Sequence, residues 1–219
     1  MSNVFFEPWV GENYKGGIND IRVMVMGHVH VCDGCHDGQK CGEPSAREEC
    51  GDRTKEAVKK YLSSRATGED PTPDYKGWLK TYSNFVKCIF GTEPDYEEEK
   101  REFWDRILFC NFLQVAVPQY NIQAPDEAYV QAQDAFIELI NKYEPYLIIA
   151  WGVGAYDYTP AYNGRDLDPL IVEEVNLKAE RYEYTLESGK KCVMIKIHHP
   201  SMYFSPTKWH EVIKRQLLI

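Results

Sequence analysis

The stretch from Ile21 to Cys50, IRVMVMGHVHVCDGCHDGQKCGEPSAREEC, constrains this chain more than any other. Its first seven residues, Ile21 to Gly27, form a run of β-branched and long aliphatic side chains closed by a glycine, the pattern of a strand buried on both faces. Immediately beyond it lie His28, His30 and His36 with Cys32, Cys35, Cys41 and Cys50, three of the six histidines and four of the seven cysteines. In open α/β sheets the loops at the carboxyl ends of the strands bind ligands, so this loop is the first place to look for a site, and other strand ends should meet it.

A length of 219 residues suits one α/β domain with insertions. The balance of 25 basic against 34 acidic residues, net −9, works against non-specific attraction to nucleic acid, which needs clustered Lys and Arg; the sequence shows no such run. The amino-terminal MSNVFFEPWVGENYKGG lacks the basic start, apolar core and small-residue cleavage site of a signal peptide. No segment approaches the roughly 20 apolar residues of a membrane span. The expected location is therefore cytoplasmic, with no membrane partner, and there cysteines favour metal binding or burial over a disulfide framework.

Taken in order, Phe5 to Gly17 reads as an irregular segment packed by Phe5, Phe6, Trp9 and Tyr14. Beyond the His/Cys loop, Asp52 or Thr54 is placed to cap a helix carrying Ala57, Val58, Tyr61 and Leu62 and ending near Gly68. Trp78, Leu79, Tyr82, Phe85, Val86 and Ile89 predict a second helix closing at Gly91, and the charged run Asp95 to Arg106 a third with Phe103 and Trp104 inward. These helices form an insertion at about 52–106 between two core strands. Ile107 to Val115 reads as the second core strand, with Asn111 as its one oddity; Asp126 to Lys142 as a helix; and Tyr146 to Trp151 as a third strand closed by Gly152 and Gly154. Strand–helix–strand units of this kind make parallel sheets. Tyr156 to Leu177 reads as a loop with a short helix near Leu170, because Asn163-Gly164 and Pro169 interrupt every regular pattern. Ser188-Gly189 turns a hairpin into the last core strand, VMIKI, which runs into His198-His199-Pro200-Ser201; Ser205-Pro206 then opens a final helix.

Three strand ends thus carry polar residues: Gly27-His28-Val29-His30, Asn111, and His198-His199-Pro200-Ser201. A first strand ending in Gly, a later strand carrying Asn and a last strand ending in His-Pro-Ser resemble the uracil-DNA glycosylase superfamily. With FEPWVGENY ahead of the first strand, the chain is similar to its diverged bacterial members of unassigned function. The resemblance spans most of the chain, and its most specific motif is HHPS. It implies a single three-layer α/β/α sandwich over residues 1–219 around a central, mainly parallel four-stranded sheet, and a pocket for an extruded base. The ligand it implies is a nucleobase-containing molecule or single-stranded nucleic acid, and the chemistry an N-glycosidic hydrolysis of the kind used in DNA repair. By the same resemblance Asn111 reads the base through its paired donor and acceptor, His199 stabilises the departing base, and Gly27, His28 and Ser201 line the substrate.

The departure lies in the first-strand loop. Gly27-His28-Val29-His30-Val31 stands where the best-known enzymes have Gly-Gln-Asp-Pro-Tyr, so the water-activating carboxylate and base-shielding tyrosine are missing from those positions. His30 is the expected replacement base, since an imidazole titrates near neutrality, with Asp33 or Glu12 as alternative carboxylates. The plainer readings are that Asn111 satisfies a backbone group, His199 packs a turn and Ser201 caps it.

The loop also supports a different class of function. Cys32-x2-Cys35 is the spacing that clasps one metal ion, and Cys41 and Cys50, or His36, His30 or His28, could complete a zinc site, although the spacing matches no standard finger. The alternatives to a glycosylase-like protein are then a non-catalytic binding protein with a structural metal knot and a small-molecule metal-dependent hydrolase.

Overall fold

The computed structural model describes residues 2–32, 44–64, 77–91, 98–119, 122–201 and 203–217. The elements run β1 (Trp9–Val10), β2 (Val23–Gly27), β3 (His30–Val31), α1 (Pro44–Cys50), α2 (Arg53–Ser63), α3 (Leu79–Phe90), α4 (Glu98–Asp105), β4 (Ile107–Asn111), β5 (Ala116–Val117), α5 (Asp126–Tyr143), β6 (Leu147–Trp151), α6 (Val153–Tyr156), β7 (Gly164–Val172), β8 (Leu177–Thr185), β9 (Lys191–Ile197) and α7 (Pro206–Leu217). Residues 33–43, which include Asp33, Cys35, His36 and Cys41, lie outside the described residues, as does Gly68.

The apolar runs read from the sequence become β2, β4 and β6, each buried at all five positions. Together with β9 they form a parallel core in the spatial order β4-β2-β6-β9. The sheet has seven strands rather than the expected four: β1 adds antiparallel to β4 at one edge, and β8 and β7 add antiparallel beyond β9 at the other.

Alternation along these strands divides the core in two. Val23, Val25, Ile107, Phe109, Leu147, Ile149, Trp151, Ile195 and Ile197 face the layer of α2, α3, α4 and α7, while Met24, Met26, Leu108, Cys110, Ile148, Ala150 and Met194 face α5. The first layer is aromatic at its centre: Tyr82, Trp104, Phe109 and Trp151 meet at ring-centroid separations of 5.2 to 5.6 Å. Each such pair adds about 0.5–1.5 kcal/mol beyond simple burial. A buried Lys100 on α4 ties this layer together, its ammonium donating to the carbonyls of Tyr61 and Ser64 at the carboxyl end of α2 (2.7 and 2.9 Å) while lying 4.1 Å over the Tyr61 ring. A cation there meets the negative end of the helix dipole.

Three boundaries differ from the sequence reading. Helix α2 stops at Ser63, where the Ser64 N–H turns back onto Tyr61, short of Gly68. Strand β4 stops at Asn111 rather than Val115, because its neighbour β2 ends at the paired Gly27. The chain then forms the separate pair β3–β5. The segment read as a loop with a short helix near Leu170, from Tyr156 to Leu177, contains β7, a nine-residue edge strand that includes Leu170 and whose register slips between Leu167 and Leu170. The slip absorbs Asp168 and Pro169, and an edge is where a strand tolerates a residue without an N–H. Among the described residues no helix is long and apolar enough to cross a membrane.

Candidate functional site

The parallel core brings the expected strand ends to one edge. Gly27 pairs with Asn111 in the β2–β4 ladder and Trp151 with Ile197 in the β6–β9 ladder, so His28, Asn111, Gly152 and His199 all follow from the same row of strand ends. Gly27 is required where it stands. A Cβ at this position would overlap the carboxamide of Asn111, so only glycine lets that side chain lie across the end of β2. Asn111 is 7% exposed, and among the described residues nothing hydrogen-bonds its amide side chain.

Gly154 plays the same part for His28. A Cβ there would sit 2.9 Å from the imidazole Cε1, so glycine lets α6 close on the ring. On its other side His28 leans against Tyr129 of α5 at 6.1 Å, and Tyr129 in turn meets Tyr158 at 4.2 Å. The His28 Nε2 is buried without a hydrogen-bond partner, and burial lowers its pKa, so the ring is neutral near pH 7.

His199 stands against Gly152 and at 6.3 Å from the Trp151 ring, nearly perpendicular to it. Its loop is pinned twice: the Ser201 N–H donates to the His199 carbonyl (2.8 Å), and the Asn84 amide of α3 donates to the Pro200 carbonyl (2.9 Å). The helical insertion therefore braces this loop. His199 Nδ1 lies 2.9 Å from the Ser201 hydroxyl; when that hydroxyl donates, the ring hydrogen resides on Nε2, ready for a ligand. His199 is exposed as a residue, yet the protein packed around its ring lowers its pKa, with His28 as a second cause. The companion histidine, His198, packs on Trp209 of α7 at 5.1 Å.

His30 is not brought to this edge group. It is 7% exposed, its Nε2 bonds the buried Thr54 hydroxyl at 2.9 Å, and its ring meets Phe6 at 4.7 Å. Burial, reinforced by the Arg53 charge, pushes its pKa down to about 3. With its ring buried and engaged, the water-holding role expected of His30 has no open face to act through. Glu12 is also misplaced for that role: its N–H bonds Asp105 beside the start of β4, the end opposite Asn111.

Of the four expected zinc ligands, Cys35 and Cys41 lie outside the described residues. Cys32 and Cys50 are half-buried free thiols packed on one small cluster of Phe5, Phe6, Ala46 and Ala116, and Arg53 donates to the Cys32 sulfur at 3.0 Å. No cluster of three or more potential metal-ligating side chains forms among the described residues.

Several residues were not singled out from the sequence. Trp151 and Gly154 belong to a Trp-Gly-Val-Gly turn that directly follows a core strand, which is a usable signal. Tyr129 and Tyr158 gave none, since they are remote in sequence from the other site residues. Tyr203, two residues past Ser201, is 97% exposed on a left-handed backbone (φ 58°). A groove of about 530 Å³ lined by Asn3, Asp134, Glu138, Asn141 and Glu187 lies along α5, separate from this edge.

No protein-family model matches the chain, and no curated protein sequence is significantly similar to it. The site must therefore be judged by its chemistry. A neutral amide and two neutral imidazoles, flanked by aromatic faces, offer directional hydrogen bonds and a flat contact but no net charge. That combination suits a planar, neutral, polar heterocycle.

Proposed function

We propose that this edge binds a nucleobase and that the chain is a uracil-DNA glycosylase-like hydrolase of an N-glycosidic bond. The observation that supports it most is the meeting of Gly27-His28, Asn111 and His199–Ser201 at the carboxyl edge of four parallel strands. Asn111 reads the base edge. As the bond between the sugar carbon and the base nitrogen breaks, its electron pair passes to the base, and His199 Nε2–H donates to the oxygen on which the charge gathers. A water adds to the sugar carbon. The proton of that water passes to solvent, and His28, whose buried Nε2 has no protein partner, lines the site beside Asn111. The exposed Tyr203 and Tyr158 offer stacking faces for neighbouring bases of a single strand. The net charge of −9 favours a short single strand or a nucleoside over duplex DNA.

The test is base release from a uracil-containing single-stranded oligonucleotide and from nucleosides, with calorimetric titration of free bases alongside. Base release that disappears in Asn111→Ala and His199→Ala, with both variants folded, is the expected result. Full activity in both, or neither binding nor turnover with any base, would overturn the assignment.

The common packing of Cys32 and Cys50 favours one addition: a structural zinc held by Cys32 and Cys50 with Cys35 and Cys41 from the intervening segment. Elemental analysis of untagged protein should find about one zinc per chain. Metal-free protein of unchanged stability would dismiss it and leave these thiols as packing groups.

A further inference from the structure

We infer that Gln114 is the positioning residue for Asn111 and sets how sharply the site tells one nucleobase edge from another; this rests on the nucleobase reading of the site. Gln114 is 5% exposed and uses its whole hydrogen-bonding capacity. Its Oε1 accepts from the backbone N–H groups of Phe5 (2.8 Å) and Phe6 (3.1 Å), and its Nε2 donates to the carbonyls of Asn111 (3.2 Å) and Phe112 (3.3 Å).

These bonds fall where β4 leaves the sheet. The Phe112 and Leu113 N–H groups still donate to the carbonyls of Gly27 and His28, both at 2.9 Å, and Gln114 closes the turn by holding the carbonyl of Asn111 itself. The Asn111 amide has no hydrogen bond of its own among the described residues, so the direction it presents is fixed by its backbone and by its contact with Gly27. The backbone is fixed on one side by the ladder and on the other by Gln114. The same glutamine fastens Phe5 and Phe6, and hence the amino-terminal segment, to the strand end that carries Asn111.

An amide discriminates uracil from cytosine only while its donor and acceptor are held in register with the ligand's carbonyl or amino group. A displacement of about 1 Å is enough to cost orders of magnitude in a directional contact. Gln114→Met keeps the side chain's length and removes all four bonds. Its expected effect is about a tenfold loss in the uracil-to-cytosine affinity ratio.

The experiment is a double-mutant cycle on that ratio, measured by calorimetry for wild type, Gln114→Met, Asn111→Ala and the double variant. If Gln114 acts through Asn111, its effect on the ratio vanishes in the Asn111→Ala background. Equal weakening for both bases, or effects that simply add in the cycle, would show a structural role alone and overturn the inference. If Gln114→Met does not fold, Gln114→Glu replaces it, being nearly isosteric, retaining the acceptors and supplying at most one donor. A wild type that binds neither base overturns the nucleobase reading itself, whereas a discriminating wild type with an additive cycle overturns only the role of Gln114.

Discussion

His28 and His30 stand two residues apart on one strand end and live in opposite environments. His30 is sealed among Phe6, Thr54 and Arg53 with its ring nitrogen bonded inside the protein. His28 is held in place by Gly154 and Tyr129, which touch its ring without bonding its Nε2. The first arrangement uses a histidine to join β3 to α2. The second leaves a buried nitrogen without a hydrogen-bond partner. The same contrast separates Asn111 and His28, whose side-chain amide and Nε2 have no hydrogen-bond partner among the described residues, from the knot of Phe5, Phe6, His30 and Cys32, whose polar groups are bonded internally and hold the fold.

The largest effect expected from this contrast is on turnover. Asn111→Ala or His199→Ala should lower kcat/KM for base release about 10²- to 10³-fold with little change in melting temperature. His30→Ala should do the reverse, lowering stability by about 2–4 kcal/mol in urea unfolding through a lost buried bond and an unfilled space beside Phe6. His28→Ala should cost no more than about 1 kcal/mol and should weaken base binding. Equal stability losses for His28 and His30 would erase the distinction.

A pH titration sharpens it further. The folded protein keeps His30 neutral down to about pH 3, whereas the unfolded chain takes up its proton near the ordinary value of 6.5. The unfolded state therefore binds more protons between these values, and the stability supplied by neutral His30 is complete above about pH 6.5 and drains away as the pH falls toward 3. His30→Gln should remove about one proton from the slope of unfolding free energy against pH across that window. The smallest expected effect on turnover belongs to Asn84→Ala. Losing the bond to the Pro200 carbonyl should cost about 1 kcal/mol and lower turnover only severalfold, because Ser201 still holds the His199 loop.

What was legible in the sequence follows the range of the forces involved. The apolar runs that became β2, β4 and β6 and the helical spacing of α3, α5 and α7 are local patterns, and each formed the type of element read from it, with β4 ending at Asn111 rather than Val115. The strand ends carrying Asn111, His28 and His199 were equally visible, because a polar residue closing an apolar run stands out. The fate of His30 was not visible, since it depends on Thr54 and Phe6, each 24 residues away on opposite sides in sequence. The length of β4 depended on where a different strand ends. For β7, Pro169 and Asn163-Gly164 were genuine interruptions, but a register slip on an edge accommodates what a central strand would refuse. Gln114 gave no sign in advance, as its partners at Phe5 and Phe6 are more than a hundred residues away.

The slipped register of β7 also bears on how the molecule behaves in a crowded solution. A long edge strand is an open template on which another chain can polymerise. Here that border is interrupted by Pro169, which has no hydrogen to offer a newcomer, and is dotted with Arg165, Asp166 and Asp168. The opposite border is a strand of only two residues, Trp9–Val10. A seven-stranded sheet finished in this way at both margins discourages edge-to-edge growth, so its parallel interior stays the private core of one molecule rather than the seed of a fibre.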